Sequence, residues 1–135
     1  MAKNVLRDYL GNILDVIIPR YERKILYENT EGTSDKITLI DNVDNYKYLE
    51  IYTKANNDYG QTCTKIDLSQ ENKHFSINQI YISSTYGDTI LKTAMLRISN
   101  NFIEIVKNGG IRMESSGTTL SSTWKVSITK VIGYK

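Results

Sequence analysis

Apolar and polar residues alternate along most of this chain, and Asn, Asp, Ser, Thr and Gly interrupt the alternation at short intervals. A period of two sends successive side chains to opposite faces of an extended backbone, so the pattern predicts half-buried β-strands joined by tight polar turns. "RKILYEN" (Arg23–Asn29) alternates and meets the turn signal "TEGTSD"; "KITLI" follows and ends at "DNVDN". "YKYLEIYTK" (Tyr46–Lys54) puts Leu49 and Ile51 on one face and Tyr48, Glu50 and Tyr52 on the other, until "NNDYG" breaks it. "TCTKIDLS" (Thr62–Ser69) sets Cys63, Lys65 and Asp67 against Thr64, Ile66 and Leu68. "HFSINQIYIS" (His74–Ser83) reads as a further strand before the loop "STYGD".

"TILKTAMLRIS" (Thr89–Ser99), the link Asn100-Asn101 and "FIEIVKN" form a hairpin pattern, because Asn tolerates the positive φ that a two-residue link demands. The pair Gly109-Gly110 is expected to end that strand before "IRMESS", and "SGTTLSS" to separate the latter from a closing strand. In that closing strand Trp124, Val126 and Ile128 share one face and Lys125, Ser127 and Thr129 the other, whereas Val131-Ile132 is apolar on both. A bulge would reconcile the two halves. A strand apolar on both faces is expected inside the fold, where its removal unfolds the domain. Roughly seven to nine short strands without a convincing helix indicate an all-β sandwich or barrel. The reading adopted is an antiparallel β-sandwich of jelly-roll type over residues 22–135, with residues 1–21 as an N-terminal arm or hairpin.

The arm is ambiguous in its period. Leu6, Leu10, Ile13 and Ile17 are spaced as on an amphipathic helix or a coiled-coil seam. Gly11-Asn12 and the β-branched run Val16-Ile17-Ile18 favour instead two short strands around a turn, ending at Pro19. Neither form buries its own apolar side chains, so the arm is expected to pack on the domain or on a neighbouring chain.

Composition adds mostly exclusions. The 135 residues suffice for one self-sufficient core, and a net charge of +2 spread evenly gives no basis for nucleic-acid or anionic-membrane binding. No stretch approaches the roughly 20 apolar residues of a membrane span, and the first residues lack a signal-peptide pattern. Cys63 is the only cysteine, so no internal disulfide forms, and assembly in a reducing cytoplasm is expected. It reads as a small strand residue; a nucleophilic role would require the single histidine, His74.

Catalytic and metal readings are similarly thin. A glycosidase needs two carboxyls roughly 5 Å or about 6.5–9.5 Å apart. The acids here stand singly at turn positions such as Asp35, Asp41, Asp44, Asp58 and Asp88, where turn hydrogen bonding is their ordinary role. No elbow of the G-x-S-x-G kind surrounds a serine. One His and one Cys cannot build a structural zinc site, and neither "DNVDN" nor "NNDYG" has calcium-loop spacing. The expectation is therefore a non-enzymatic chain without cofactor or metal, a small hydrolase ranking last.

Binding is the class with positive support. Ten tyrosines against two phenylalanines supply flat apolar rings that each carry a hydroxyl, suited to a surface with one wet side and to stacking on sugar faces. Candidate ligand contacts are Tyr48 and Tyr52 on one strand face, Asp58, Tyr59 and Gln61 in one polar loop, and Tyr86 and Asp88 in another. The tyrosines could equally cap strand edges or line a subunit interface. Leu6, Leu10, Ile13, Ile17 and Trp124 are the candidate interface residues, Trp124 being core or interface in preference to a sugar platform.

"ILYENTEGTSDKITL", "YLEIYTKAN" and the closing "ITKVIGYK" together resemble a small β domain of tail and receptor-binding proteins from phages and prophages of Gram-positive bacteria, over about Ile25 to Lys135. "RDYLGNILDVIIP" is similar to the G-N-x-x-x-P hairpins that precede such domains, departing from them at Asp15 and in the Val-Ile-Ile run. The resemblance implies a non-enzymatic virion component of the tail tip or baseplate, assembled in the bacterial cytoplasm. It implies a homotrimer beside other tail proteins that touches a host-surface saccharide. A free-standing carbohydrate-binding module outside any virion is the alternative.

Overall fold

The computed structural model describes residues 22–55, 61–71, 73–82, 87–121 and 125–135. Among them run nine strands: β1 (Arg23–Thr33), β2 (Ile37–Thr38), β3 (Tyr48–Ala55), β4 (Gln61–Asp67), β5 (His74–Ile82), β6 (Thr89–Ser99), β7 (Phe102–Glu114), β8 (Gly117–Ser121) and β9 (Val126–Tyr134). All pairings are antiparallel, in a four-stranded sheet of order β1-β9-β3-β4 and a five-stranded sheet of order β2-β7-β6-β5. β2 and β8 share the second side of β7, one at each end. β1 lies beside β9, β9 beside β3 and β2 beside β7; β3–β4 and the run β5 to β8 are hairpin-connected, giving an all-β sandwich of two antiparallel sheets.

The expected alternation decides which faces meet. Leu26, Leu49, Ile51, Ile66, Val126, Ile128 and Val131 of the first sheet pack against Ile37, Ile77, Ala94, Leu96, Ile98 and Ile103 of the second, all buried in one cluster. Each Val, Leu and Ile among them contributes about 1.5–3 kcal/mol by leaving water. Tyr48, Glu50 and Tyr52 point the other way and remain half-exposed.

β9 is inserted between β1 and β3, as its apolar pattern requires. Tyr52 pairs with Lys130 but the next residue, Thr53, pairs with Ile128, which leaves Thr129 as an extra residue in β9. This is the expected bulge, and it lets Ile128 and Val131 both face the core although they are three positions apart. Ile132 then falls on the opposite face, between Ile25 and Glu50, and is nevertheless fully buried.

Four local expectations are corrected. β7 continues through Gly109-Gly110 instead of ending there; Gly110 lies between Lys92 of β6 and Ser121 of β8. "SGTTLSS" is not merely a separator, because Gly117–Ser121 folds back on β7 as β8. "KITLI" pairs only at Ile37–Thr38: the amides of Leu39 and Val43 instead donate at 2.7 Å to the carbonyls of Asn101 and Asn100 in the β6–β7 hairpin. Tyr46 belongs to no strand but follows a 3₁₀ turn, Val43–Asn45, that Asn42 caps through a bond from the Asp44 amide. The Asn100-Asn101 link is as expected, with Asn100 at φ 49°.

Candidate functional site

On the outer face of the first sheet, pairing sets side chains in rows across the strands. One row reads Arg23, Tyr134, Tyr48, Asp67; the next Ile25, Ile132, Glu50, Lys65; the third Glu28, Lys130, Tyr52, Cys63. Below the third row the sheet opens. β1 leaves the ladder after Glu28 and rejoins it at Thr33, while β9 carries the Thr129 bulge at the same level. Gly32, at φ +74°, brings this excursion of β1 down onto β9, where a Cβ on it would stand 3.0 Å from the Ser127 Cβ and 3.4 Å from the Thr129 methyl. The result is a cleft of about 220 Å³ lined by Glu28, Thr30, Tyr52, Gln61, Thr129 and Lys130.

Its walls are held by polar contacts. Lys130 Nζ lies 2.7 Å from Glu28 Oε1, Lys54 Nζ donates to the Thr30 carbonyl at 3.1 Å, and Thr129 Oγ1 donates to the Tyr52 carbonyl at 3.2 Å. The Tyr52 hydroxyl donates to Glu50 Oε2 at 3.1 Å, and that oxygen also accepts the Tyr134 hydroxyl at 2.8 Å. Hydrogen bonds to Cys63 and then to Glu50 push the Tyr52 phenol up to about 12, and the bond to Glu50 raises Tyr134. Tyr52 therefore stays a neutral phenol with a fixed ring, a hydrogen-bonding tip and an apolar flank beside the cleft. The cleft adds the acidic Glu28, the basic Lys130, the Gln61 amide and the Thr30 and Thr129 hydroxyls, a mixed donor and acceptor set matched to polyhydroxylated ligands.

Of the residues expected at a site, Tyr52 and Gln61 meet here. Tyr48 shares the face but not the cleft; its ring lies under Lys65, 4.4 Å from the ammonium. Asp88 is elsewhere, immediately before β6 of the second sheet, where its carboxylate accepts from Arg112 Nε at 2.9 Å and from a second guanidinium nitrogen at 2.6 Å. There it anchors an ion pair, apart from the cleft beside Tyr52. Asp58, Tyr59, Tyr86 and Trp124 lie outside the described residues, as do Leu6, Leu10, Ile13 and Ile17. Glu28, Thr30, Thr129 and Lys130 were not anticipated; the one signal for them was the Gly32 turn combined with the broken alternation around Thr129.

Nucleophilic and metal chemistry gain no geometry. Burial raises the pKa of the Cys63 thiol, which favours the inert protonated form. Cys63 belongs to β4 of the first sheet and His74 to β5 of the second. Among the described residues no three His, Cys, Asp or Glu side chains converge as metal ligands would. Asp41, in the oxygen-rich "DNVDN", instead accepts from the Asn42 amide, Asn45, the Tyr46 hydroxyl and Lys24. Among the described residues no helix is long and apolar enough to cross a membrane. Compared with models of protein families and with curated proteins, the chain matches none.

Proposed function

We propose that this chain is a non-enzymatic binding protein for a surface saccharide, and that its biological setting is the tail of a phage or prophage of Gram-positive bacteria. The observation that carries the binding reading is the cleft beside Tyr52, where a fixed aromatic ring adjoins an acid, a base, an amide and two hydroxyls within about 220 Å³. Sugars offer apolar ring faces edged by hydroxyls, and such a set can stack against one and hydrogen-bond the other. The tail setting, the homotrimer formed through the arm and the contact with other tail proteins rest on the sequence resemblance alone.

Titration with purified Gram-positive cell-wall polysaccharide, followed by calorimetry or amide chemical shifts, tests the binding reading. Binding is expected to perturb the cleft, and Tyr52→Ala and Gln61→Ala are each expected to weaken it about tenfold or more, equivalent to about 1.4 kcal/mol. Unchanged binding in both folded variants would move the site elsewhere. Absence of binding across a panel of wall polysaccharides would leave a purely structural role.

A further inference from the structure

Among the described residues the sandwich has several strand edges with no strand beside them, and most carry features that oppose pairing. β1 has two register breaks and the charged Arg23, Lys24 and Glu28; β4 carries Lys65 and Asp67; β2 has two residues and β8 five. Short, bulged or charged edges resist joining another chain. β5 has none of these features. Its nine residues stay in unbroken register with β6, and "FSINQIYI" (Phe75–Ile82) contains neither a charge nor a proline. Among the described residues no strand pairs with its other side, where Ile80 is 68% and Ile82 70% exposed.

The hydrogen-bond phase shows what this edge offers. Ile98 N donates to Lys73 O at 3.0 Å, so in an antiparallel ladder the odd-numbered residues of β5 bond to β6. Ser76, Asn78 and Ile80 therefore direct their amides and carbonyls outward. We infer that β5 is a self-association edge, and that two copies pair their β5 strands antiparallel about a two-fold axis at Asn78, making one continuous sheet of the two second sheets. Asn78 is the midpoint of His74–Ile82, so this register alone pairs the whole strand. It sets Ser76 against Ile80 of the second copy, and the half-buried Phe75 against the equally half-buried Tyr81, twice by symmetry. Asn78 Oδ1 already accepts from Thr93 at 2.8 Å, which turns its amide nitrogen toward its counterpart across the axis. A second copy is the occupant that brings an aromatic partner to both ends of the seam by symmetry, and the uncharged strand sets no like charges against each other.

The inference is independent of the saccharide reading and of the arm. Light scattering at about 100 µM chain is expected to give an even multiple of 15.5 kDa, whether the arm forms trimers or not. Asn78→Pro removes an amide that no β6 bond uses, and Ile80→Lys puts a charge on the seam; each is expected to halve the mass with the circular dichroism unchanged. On a Cys63→Ser background, Asn78→Cys is expected to be joined chain to chain by a short bis-thiol reagent, and Lys65→Cys on β4 is not. An odd multiple, an even mass that survives in whichever of the two variants folds, or cross-linking that ignores position 78 would each overturn it.

Discussion

A Cβ built on Gly133 would stand 2.5 Å from the Tyr46 ring, closer than real Cβ contacts come, and the ring is buried with little space to move. Gly133→Ala is therefore expected to cost about 1–3 kcal/mol through overpacking, read as a lowered denaturation midpoint with unchanged slope. The Tyr46 hydroxyl donates to Asp41 at 2.8 Å; burial and this carboxylate push the phenol up to about 12. The Tyr46 bond first, then those from Asn42, Lys24 and Asn45, hold the Asp41 carboxyl well below the usual carboxylate range. A carboxyl with a depressed folded pKa favours the folded state fully above its unfolded value of about 3.8 and loses that contribution as pH falls toward the folded value. Asp41→Asn is expected to flatten the loss of stability measured below about pH 5, while changing nothing in the slope between about pH 6 and 8. Lys92 is 2% exposed, with its ammonium 5.5 Å from the centre of the Tyr81 ring, and burial lowers its pKa. Its charge opposes folding below that lowered pKa, and the opposition fades as pH rises toward the ordinary value near 10.5. Lys92→Met is expected to stabilise by ~1 kcal/mol at pH 7 and by less near pH 10, by chemical denaturation.

At the scale of elements, Asn108 of β7 does for β9 what a neighbouring strand would do. Its Oδ1 accepts the Val126 amide at 2.8 Å and its Nδ2 donates to the Val126 carbonyl at 2.9 Å, tying the entry of β9 in one sheet to β7 in the other. Asn108→Ala strands both groups of a buried residue, an expected loss of about 1–3 kcal/mol by thermal or urea melting, with Asn108→Asp recovering only the acceptor half. Most strands were legible because alternation is a local signal: Leu49 and Ile51 inward, Tyr48 and Tyr52 outward follow from their spacing alone. The bulge was legible too, since Ile128 and Val131 cannot face one core without an extra residue. The continuation through Gly109-Gly110 was not. Gly reads as an interruption locally, because the strands that flank it, at Lys92 and Ser121, are remote in sequence. "KITLI" failed for a related reason, because carbonyls distant in sequence, Asn101 in a hairpin and Leu26 in β1, took the Leu39 and Ile40 amides.

Over the whole molecule, only part of the candidate site was legible. Tyr52 and Gln61 carry an aromatic ring and an amide in a pattern that suggested binding. Their partners Glu28, Thr30, Thr129 and Lys130 come from strands far off in sequence, and pairing register, not composition, brings them together. The Asp88–Arg112 ion pair was not legible, because Arg112 is remote in sequence. β9 has a wider consequence. Among the described residues β1 pairs with no other strand, and β3 otherwise pairs only with β4. The run from β5 to β8, in contrast, closes through near-neighbour turns. Long-range pairing is entropically slow to reach, so refolding should pass first through a meander with one apolar flank still wet. The halves then lock when β9 threads between its two waiting edges. Pulsed deuterium labelling is expected to protect Ala94, Leu96 and Ile98 ahead of Ile128 and Val131, and a mutation such as Val131→Ala to quicken unfolding while scarcely slowing the early phase.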